Sequence, residues 1–425
     1  MLNRRAFLGA VGAGISGAAI GRGEDAESAT AKRKKLAVVT TEWRYHSHAW
    51  HMAERFLVGY PWRGQWHWPP FEVVSAYVDQ RPENDLSRAR AKEFGFTIYP
   101  TIAEALRAGG DRLAVDGVLV IGEHGDYPKN ALGQKLYPRY EFFQQVAEVY
   151  RADGRVAPVF NDKHLSWKFD WAKEMVDTAR ELGFPLLAGS SLPVTWRMPA
   201  IDLPRDAVVA EAMCVAMGEV DIYDLHALET IQCMVERRRG GQTGVIAVQA
   251  LRGDAVWRAM EAADWASGGW DRRLFEACLS RSHTLAQPES FSHRYPTVEQ
   301  IKAWVKEPVA YRIEYADGLK ATMLLMNGLV EDFTFAARIE GRQEPLSTLF
   351  QLPPNPNVVY SAALMSKVEE MFRTGRAPYP VERTLLTSGL VAAGMQSLAR
   401  NQERIETPHL AIRYEAPRES QFWVE

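Results

Sequence analysis

Leu36-Ala37-Val38-Val39-Thr40-Thr41 sets apolar side chains at consecutive positions, with no polar residue alternating between them. A strand of that texture is buried on both faces, as in a parallel sheet covered by helices on each side. Further strands follow at Phe71-Glu72-Val73-Val74-Ser75-Ala76-Tyr77-Val78-Asp79, Thr97-Ile98-Tyr99, Asp116-Gly117-Val118-Leu119-Val120-Ile121-Gly122, Val156-Ala157-Pro158-Val159-Phe160 and Phe184-Pro185-Leu186-Leu187-Ala188-Gly189. Helical stretches at 48–57, 85–95, 101–106, 139–150 and 171–182 separate them, and Gly95 is placed to supply a left-handed cap. Strand and helix in alternation predict an α/β, Rossmann-like doubly wound parallel sheet. Ligands of such a sheet bind beyond the carboxyl ends of its strands.

Beyond Arg197 the pattern changes. Longer strands are expected at 208–217, 244–251, 310–315, 320–326 and 331–339, with short turns at Ala316-Asp317-Gly318 and Asn327-Gly328 that join antiparallel neighbours. Helices are expected at 223–236, 254–263, 271–279, 298–306, 361–374 and 381–400. This half reads as an α+β domain with an open, mainly antiparallel sheet covered on one face, and the uncovered face predicts a homo-oligomer. The 425 residues thus divide into a leader at 1–31, a nucleotide-binding-type domain at 32–197 and a substrate and oligomerisation domain at 198–425.

Hydrophobic residues make up 47 % of the chain and charged ones 24 %, a balance that suits a soluble globular protein. A formal net charge of −3 supplies no field for nucleic acid, which leaves a small molecule as the expected partner. Cys214, Cys233 and Cys278 have no metal-ligand spacing and read as buried apolar residues. Asn3-Arg4-Arg5-Ala6-Phe7-Leu8, followed by a small-residue apolar stretch at 9–21, matches a twin-arginine leader and is too short and glycine-rich for a membrane span. The expected location is the periplasm or another exported compartment, with no integral membrane domain. Lys32-Arg33-Lys34-Lys35 reads as a solvated flank.

Four stretches carry a family pattern when taken in order. They are 73–79 with 85–95, Tyr99 and 102–106; Val156-Ala157-Pro158-Val159-Phe160-Asn161-Asp162-Lys163-His164-Leu165-Ser166; the segment 223–229 with His226; and Phe372-Arg373-Thr374-Gly375 through Arg400. Together they resemble the Gfo/Idh/MocA family of glucose-fructose oxidoreductases, inositol dehydrogenases and rhizopine-catabolism proteins, over nearly the whole chain after the leader. The resemblance implies hydride transfer between NAD or NADP and a hydroxyl of a sugar or cyclitol. In that scheme Lys163, with Asp162 beside it, reaches the reacting hydroxyl and the nicotinamide edge, and His226 is its acid–base partner. Tyr223, one helical turn earlier, lines the same pocket. Asp79 resembles the carboxylate that binds the cofactor ribose and favours NAD over NADP. The other cofactor-binding candidates are Thr40, Thr41 and Arg44 in the first turn, with Glu123 and His124 after the strand at 116–122.

The sequence departs from the family at three places. The first turn, Thr40-Thr41-Glu42-Trp43-Arg44-Tyr45-His46-Ser47-His48, holds no glycine, whereas a Gly-x-Gly-x-x-Gly turn lets backbone N–H groups approach a pyrophosphate. Asp162-Lys163-His164 replaces Glu-Lys-Pro, and Ile222 stands four residues before His226 where the pattern has an acidic residue. A rival reading therefore keeps the fold without a nicotinamide cofactor, as a carbohydrate lyase, hydrolase or sugar-binding protein. His46, His48, His51, His124 and His164, with Glu123 and Asp126, gather at strand ends, as sugar-binding lining or as ligands of a metal, although no spacing matches a metal motif. Trp62, Trp66, Trp68, Trp167 and Trp196 suit stacking on sugar rings or satellite core packing.

Overall fold

Along the first strand successive side chains leave by opposite faces. Ala37 and Val39 enter one hydrophobic cluster, Leu36 and Val38 another, and all four are fully buried. The computed structural model describes residues 33–262, 264–290, 293–353 and 359–424, so the expected leader lies outside the described residues. The parallel sheet has six strands: β1 Lys34–Thr40, β2 Phe71–Val78, β3 Thr97–Tyr99, β4 Gly117–Ile121, β5 Val159–Asp162 and β6 Leu186–Gly189. Their order is β3-β2-β1-β4-β5-β6, every pair parallel, so the direction of winding reverses at β1 as in a doubly wound fold.

Helices α1 Ser87–Phe94, α2 Ile102–Arg107, α3 Arg139–Asp153 and α4 Phe169–Leu182 connect these strands. Apolar residues of α2, α3 and α4 cover one face of the sheet. The other face is covered from far along the chain, by Ala363, Leu364, Val368 and Phe372 of helix Val359–Thr374. The expected boundary at 197/198 is therefore crossed, and Lys34–Glu425 forms one compact unit. Between β1 and β2, where a helix was expected at 48–57, stand a π turn, Ala49–Ala53, and the four-residue helix Arg55–Val58. The expected loop after it contains a short hairpin, Tyr60–Trp62 paired with Gln65–His67.

The second sheet has eight strands: β7 Arg197–Met198, β8 Val209–Ala216, β9 Val245–Arg252, β10 Val309–Tyr315, β11 Lys320–Leu325, β12 Phe333–Ile339, β13 Leu346–Phe350 and β14 Ile405–Glu406. Its order is β14-β9-β10-β11-β8-β12-β13-β7, and the pair β8 and β11 at its centre is parallel while the rest are antiparallel. The expectation of a free face is corrected here. Ala212, Cys214 and Ala216 of β8 pack with helix α5, Asp224–Val235, and the C-terminal helix Glu382–Ala399. Met213 and Val215, pointing the other way, pack with α6 Asp254–Ala262 and α7 Arg272–Arg281. Both faces of the sheet are covered, so an uncovered face supplies no ground for a homo-oligomer. No helix among the described residues is long and apolar enough to cross a membrane.

Candidate active site

Strand β5 ends at the fully buried Asp162, and the next residue, Lys163, takes φ +59. A left-handed lysine turns the chain sharply out of the sheet. An isolated bridge to Gly189, at the end of β6, holds it there. The Lys163 Nζ lies 3.1 Å from Glu123 Oε1, and Glu123 also pairs with the buried guanidinium of Arg139. Burial by itself would raise the Glu123 pKa, but Lys163 and Arg139 outweigh it and hold this carboxyl well below the usual carboxylate range. Arg139 Nη1 donates to His164 Nε2 at 3.2 Å. Burial, with the charge of Arg139 adding to it, keeps His164 far below its ordinary pKa and therefore neutral.

His226 comes from the first turn of α5, on the other side of the cleft. Its Nδ1 lies 2.5 Å from Ser190 Oγ, which already accepts the Leu192 N–H at 3.1 Å. Donation of the Ser190 hydroxyl proton to Nδ1 leaves the neutral ring with its hydrogen on Nε2, and this is the tautomer assigned to His226 here. Burial first, and the Lys163 ammonium second, lower the His226 pKa well below its ordinary value. Tyr223 stands between the two groups: its ring centroid is 5.8 Å from that of His226 and 5.9 Å from Lys163 Nζ.

The turn after β1 brings a further imidazole to the same place. His48 Nδ1 is 2.5 Å from Asp162 Oδ2. His51 Nδ1 lies 3.1 Å from the Tyr360 hydroxyl, and burial above all lowers the pKa of His51 to about 3. A cavity of about 850 Å³ opens between these groups and the second sheet. His48, His51, Asp162, Lys163, Tyr223 and His226 line one wall, and Asn327, Glu331 and Asp332 stand among the residues of the other. Such a volume, with donors and acceptors spaced around it, suits a small polyhydroxylated ligand.

All four residues expected to be catalytic, Lys163, His226, Asp162 and Tyr223, therefore line one cavity, while none of the six cofactor candidates does. Thr40 and Thr41 are fully buried and donate their hydroxyls to the carbonyls of Ile121 at 3.0 Å and Glu123 at 2.6 Å. Arg44 pairs with Glu42 at 2.5 Å. Glu123 lies behind Lys163, and His124 Nδ1 accepts from Arg44 at 3.5 Å, with burial and then His48 lowering its pKa to about 3. Glu229, in the later acidic position of the helix pattern, is buried and accepts from the Ser190 N–H and the Thr384 hydroxyl, both at 2.6 Å. None of Trp62, Trp66, Trp68, Trp167 and Trp196 lines the cavity. Among the described residues no three His, Cys, Asp or Glu side chains converge on a metal-sized site, and His48, His51, His124 and His164 are turned toward different partners. Ser190 and Arg139 are contributors that the sequence did not single out, since neither belongs to a motif. His48 was visible only as one of a group of histidines.

A dinucleotide on a doubly wound sheet lays its pyrophosphate over the first strand–helix turn and its ribose at the carboxylate ending the second strand. The residues here do not fit it. Trp43 fills the turn as a fully buried side chain, and the segment that follows is too short to present the aligned dipoles of a regular helix. At the end of β2 the oxygens of Asp79 accept from Tyr77 at 2.7 Å and Tyr127 at 2.6 Å. Beside it the Gln80 side chain accepts the Asp126 N–H at 2.8 Å and donates to the Asp126 carbonyl at 3.0 Å. These bonds tie the loop after β2 to the loop after β4 across the end of β1, which lies between them.

The fold nonetheless has known company. No protein-family model matches the sequence, and a search of curated proteins returned no match. Solved structures do match: myo-inositol dehydrogenase from Lactobacillus casei in complex with NAD(H) and myo-inositol, at 12 % identity, covers 88 % of this chain and 97 % of its own with a TM-score of 0.51. GenD2 from gentamicin A biosynthesis in complex with NAD, at 14 % identity, covers 92 % and 99 % with a TM-score of 0.52. A myo-inositol dehydrogenase from Corynebacterium glutamicum ATCC 13032, at 11 % identity, covers 88 % and 99 % with a TM-score of 0.50. At these identities the likeness establishes the fold: a Rossmann-like sheet joined to a mixed sheet, as in inositol dehydrogenases and related oxidoreductases.

Proposed function

We propose that this protein is an enzyme acting on a carbohydrate or cyclitol, and that it does so by proton transfer rather than through a bound dinucleotide. The observation that carries this reading is the meeting of Lys163, from the end of a parallel strand, with His226, from the second half of the chain, on one polyol-sized cavity. The lysine ammonium supports negative charge developing on a ligand oxygen, and the Nε2–H of His226 supplies a fixed donor beside it. Glu123 and Arg139 hold the lysine in place, and Ser190 fixes the imidazole. The twin-arginine motif at Asn3–Leu8 supports export of the folded chain.

A second reading, NAD(P)-dependent hydride transfer at a sugar or cyclitol hydroxyl, is favoured by the likeness to dehydrogenases whose structures hold NAD. It uses the same two side chains at the same hydroxyl. Calorimetric titration of the purified protein with NAD, NADP, and a panel of inositols, hexoses and their keto and uronate derivatives separates the two. Heat from a member of the sugar panel and none from either nucleotide is the expected result. Micromolar binding of NAD or NADP would replace proton transfer by the redox reading.

A further inference from the structure

We infer that His48, oriented by Asp162, is the proton acceptor of the cavity, and that its substrate is an oxidised sugar or cyclitol bearing a carbonyl next to the C–H bond that it breaks. The inference rests on the dinucleotide-free reading above. Asp162 is fully buried, its Oδ2 accepts from His48 Nδ1 at 2.5 Å, and its Oδ1 has no partner among the described residues. A buried carboxylate on Nδ1 fixes the tautomer with Nε2 bare and stabilises the imidazolium once Nε2 is protonated. His48 lines the cavity, and its Nε2 makes no hydrogen bond among the described residues.

The three groups then have complementary duties. His48 presents an acceptor, His226 a donor, and Lys163 a positive charge. This set matches proton abstraction beside a carbonyl. The C–H bond breaks, its proton passes to His48 Nε2, and its electron pair forms the C=C bond of an enolate. The carbonyl oxygen takes the negative charge, against the Lys163 ammonium and the His226 N–H. Return of the proton to the same carbon restores the carbonyl and the free imidazole, so nothing is oxidised or reduced. An alcohol carbon lacks the acidity for this step, so where the substrate derives from a cyclitol an oxidation elsewhere must supply its carbonyl.

The test uses the whole protein in D₂O with 2-keto-myo-inositol as probe, following loss of the proton signals beside the carbonyl by NMR and binding by calorimetry. The wild type is expected to bind the probe and to exchange those protons. His48→Gln is expected to bind within about threefold and to exchange at least about 100-fold more slowly. Asp162→Asn, a positioning change, should slow exchange and also remove the low-field proton resonance of the imidazole N–H bonded to Asp162. Equal exchange by His48→Gln, or binding by the wild type with no exchange, overturns the assignment. Failure of every sugar and cyclitol to bind overturns the proposed function itself. Should His48→Gln not fold, diethyl pyrocarbonate on the wild type decides: modification mapped to His48, blocked by the probe and parallel to loss of exchange, is expected, and full exchange after its complete modification refutes the role.

Discussion

The carboxyl edge of the parallel sheet has two halves built to opposite ends. Beyond β1, β2 and β4 the chain bonds to itself: Asp79 is held by Tyr77 and Tyr127, Gln80 by Asp126, and Thr41 by the Glu123 carbonyl. Beyond β5 and β6 the edge opens on a cavity of about 850 Å³, and Lys163 and His226 are held at its wall by partners behind them. The contrast teaches where function resides on a shared fold. A doubly wound sheet offers a long crevice, and side chains alone determine which part of it stays open to a ligand.

The largest expected effect breaks the open half. Lys163→Met should slow the deuterium exchange of 2-keto-myo-inositol by about 10²- to 10³-fold, since it removes the charge that the enolate oxygen meets. Denaturant melts should show a smaller loss, about 1–3 kcal/mol, because Arg139 still neutralises Glu123. A variant that exchanges like the wild type would mean that the lysine only braces the strand end.

Next comes the backbone that carries the open half. Gly189 has φ +119, and a Cβ there would lie 2.7 Å from both carboxyl oxygens of Glu229 and from the Thr384 hydroxyl. Gly189→Ala should therefore cost about 3 kcal/mol in urea unfolding and loosen the turn at Lys163 that it bridges. Unchanged unfolding would show that this strand end yields more readily than its packing implies.

The smallest effect concerns the sealed half and sharpens the contrast. His124, in this half, and His51, at the cavity wall, have folded pKa values of about 3, against about 6.5 in the unfolded chain. The unfolded state binds their protons first, so the stability they contribute is complete above about pH 6.5 and is lost as pH falls toward 3. Removing one of them in His124→Gln should flatten that acid limb by about 1–2 kcal/mol, allowing for the partial exposure of the ring. Urea titrations at stepped pH measure it, and an unchanged slope would mean that His124 is already solvated.

Much of the architecture was readable before any coordinates. The apolar runs at Leu36–Thr41 and Gly117–Ile121 announce strands buried on both faces, and Lys163 and His226 emerge as candidates from two short motifs. The covering of the second sheet was not readable. The helices at 254–263 and 271–279 show in the periodicity, but an apolar stripe reports that a face is buried without naming what buries it. The parallel pairing of β8 with β11 escaped for a related reason, since Val209–Ala216 and Lys320–Leu325 are far apart in the chain and their register depends on the strands between.

Sequence by itself determined the class of the fold, because burial on one or two faces imposes a local period that the residues display. Only the tertiary structure decided the site. His48 and Asp162 are 114 residues apart and Lys163 and Glu123 are 40 apart, so no local pattern couples them. Their pairing follows from strand order, which sets the ends of β1, β4 and β5 side by side, and from the cost of leaving a buried charge without a partner.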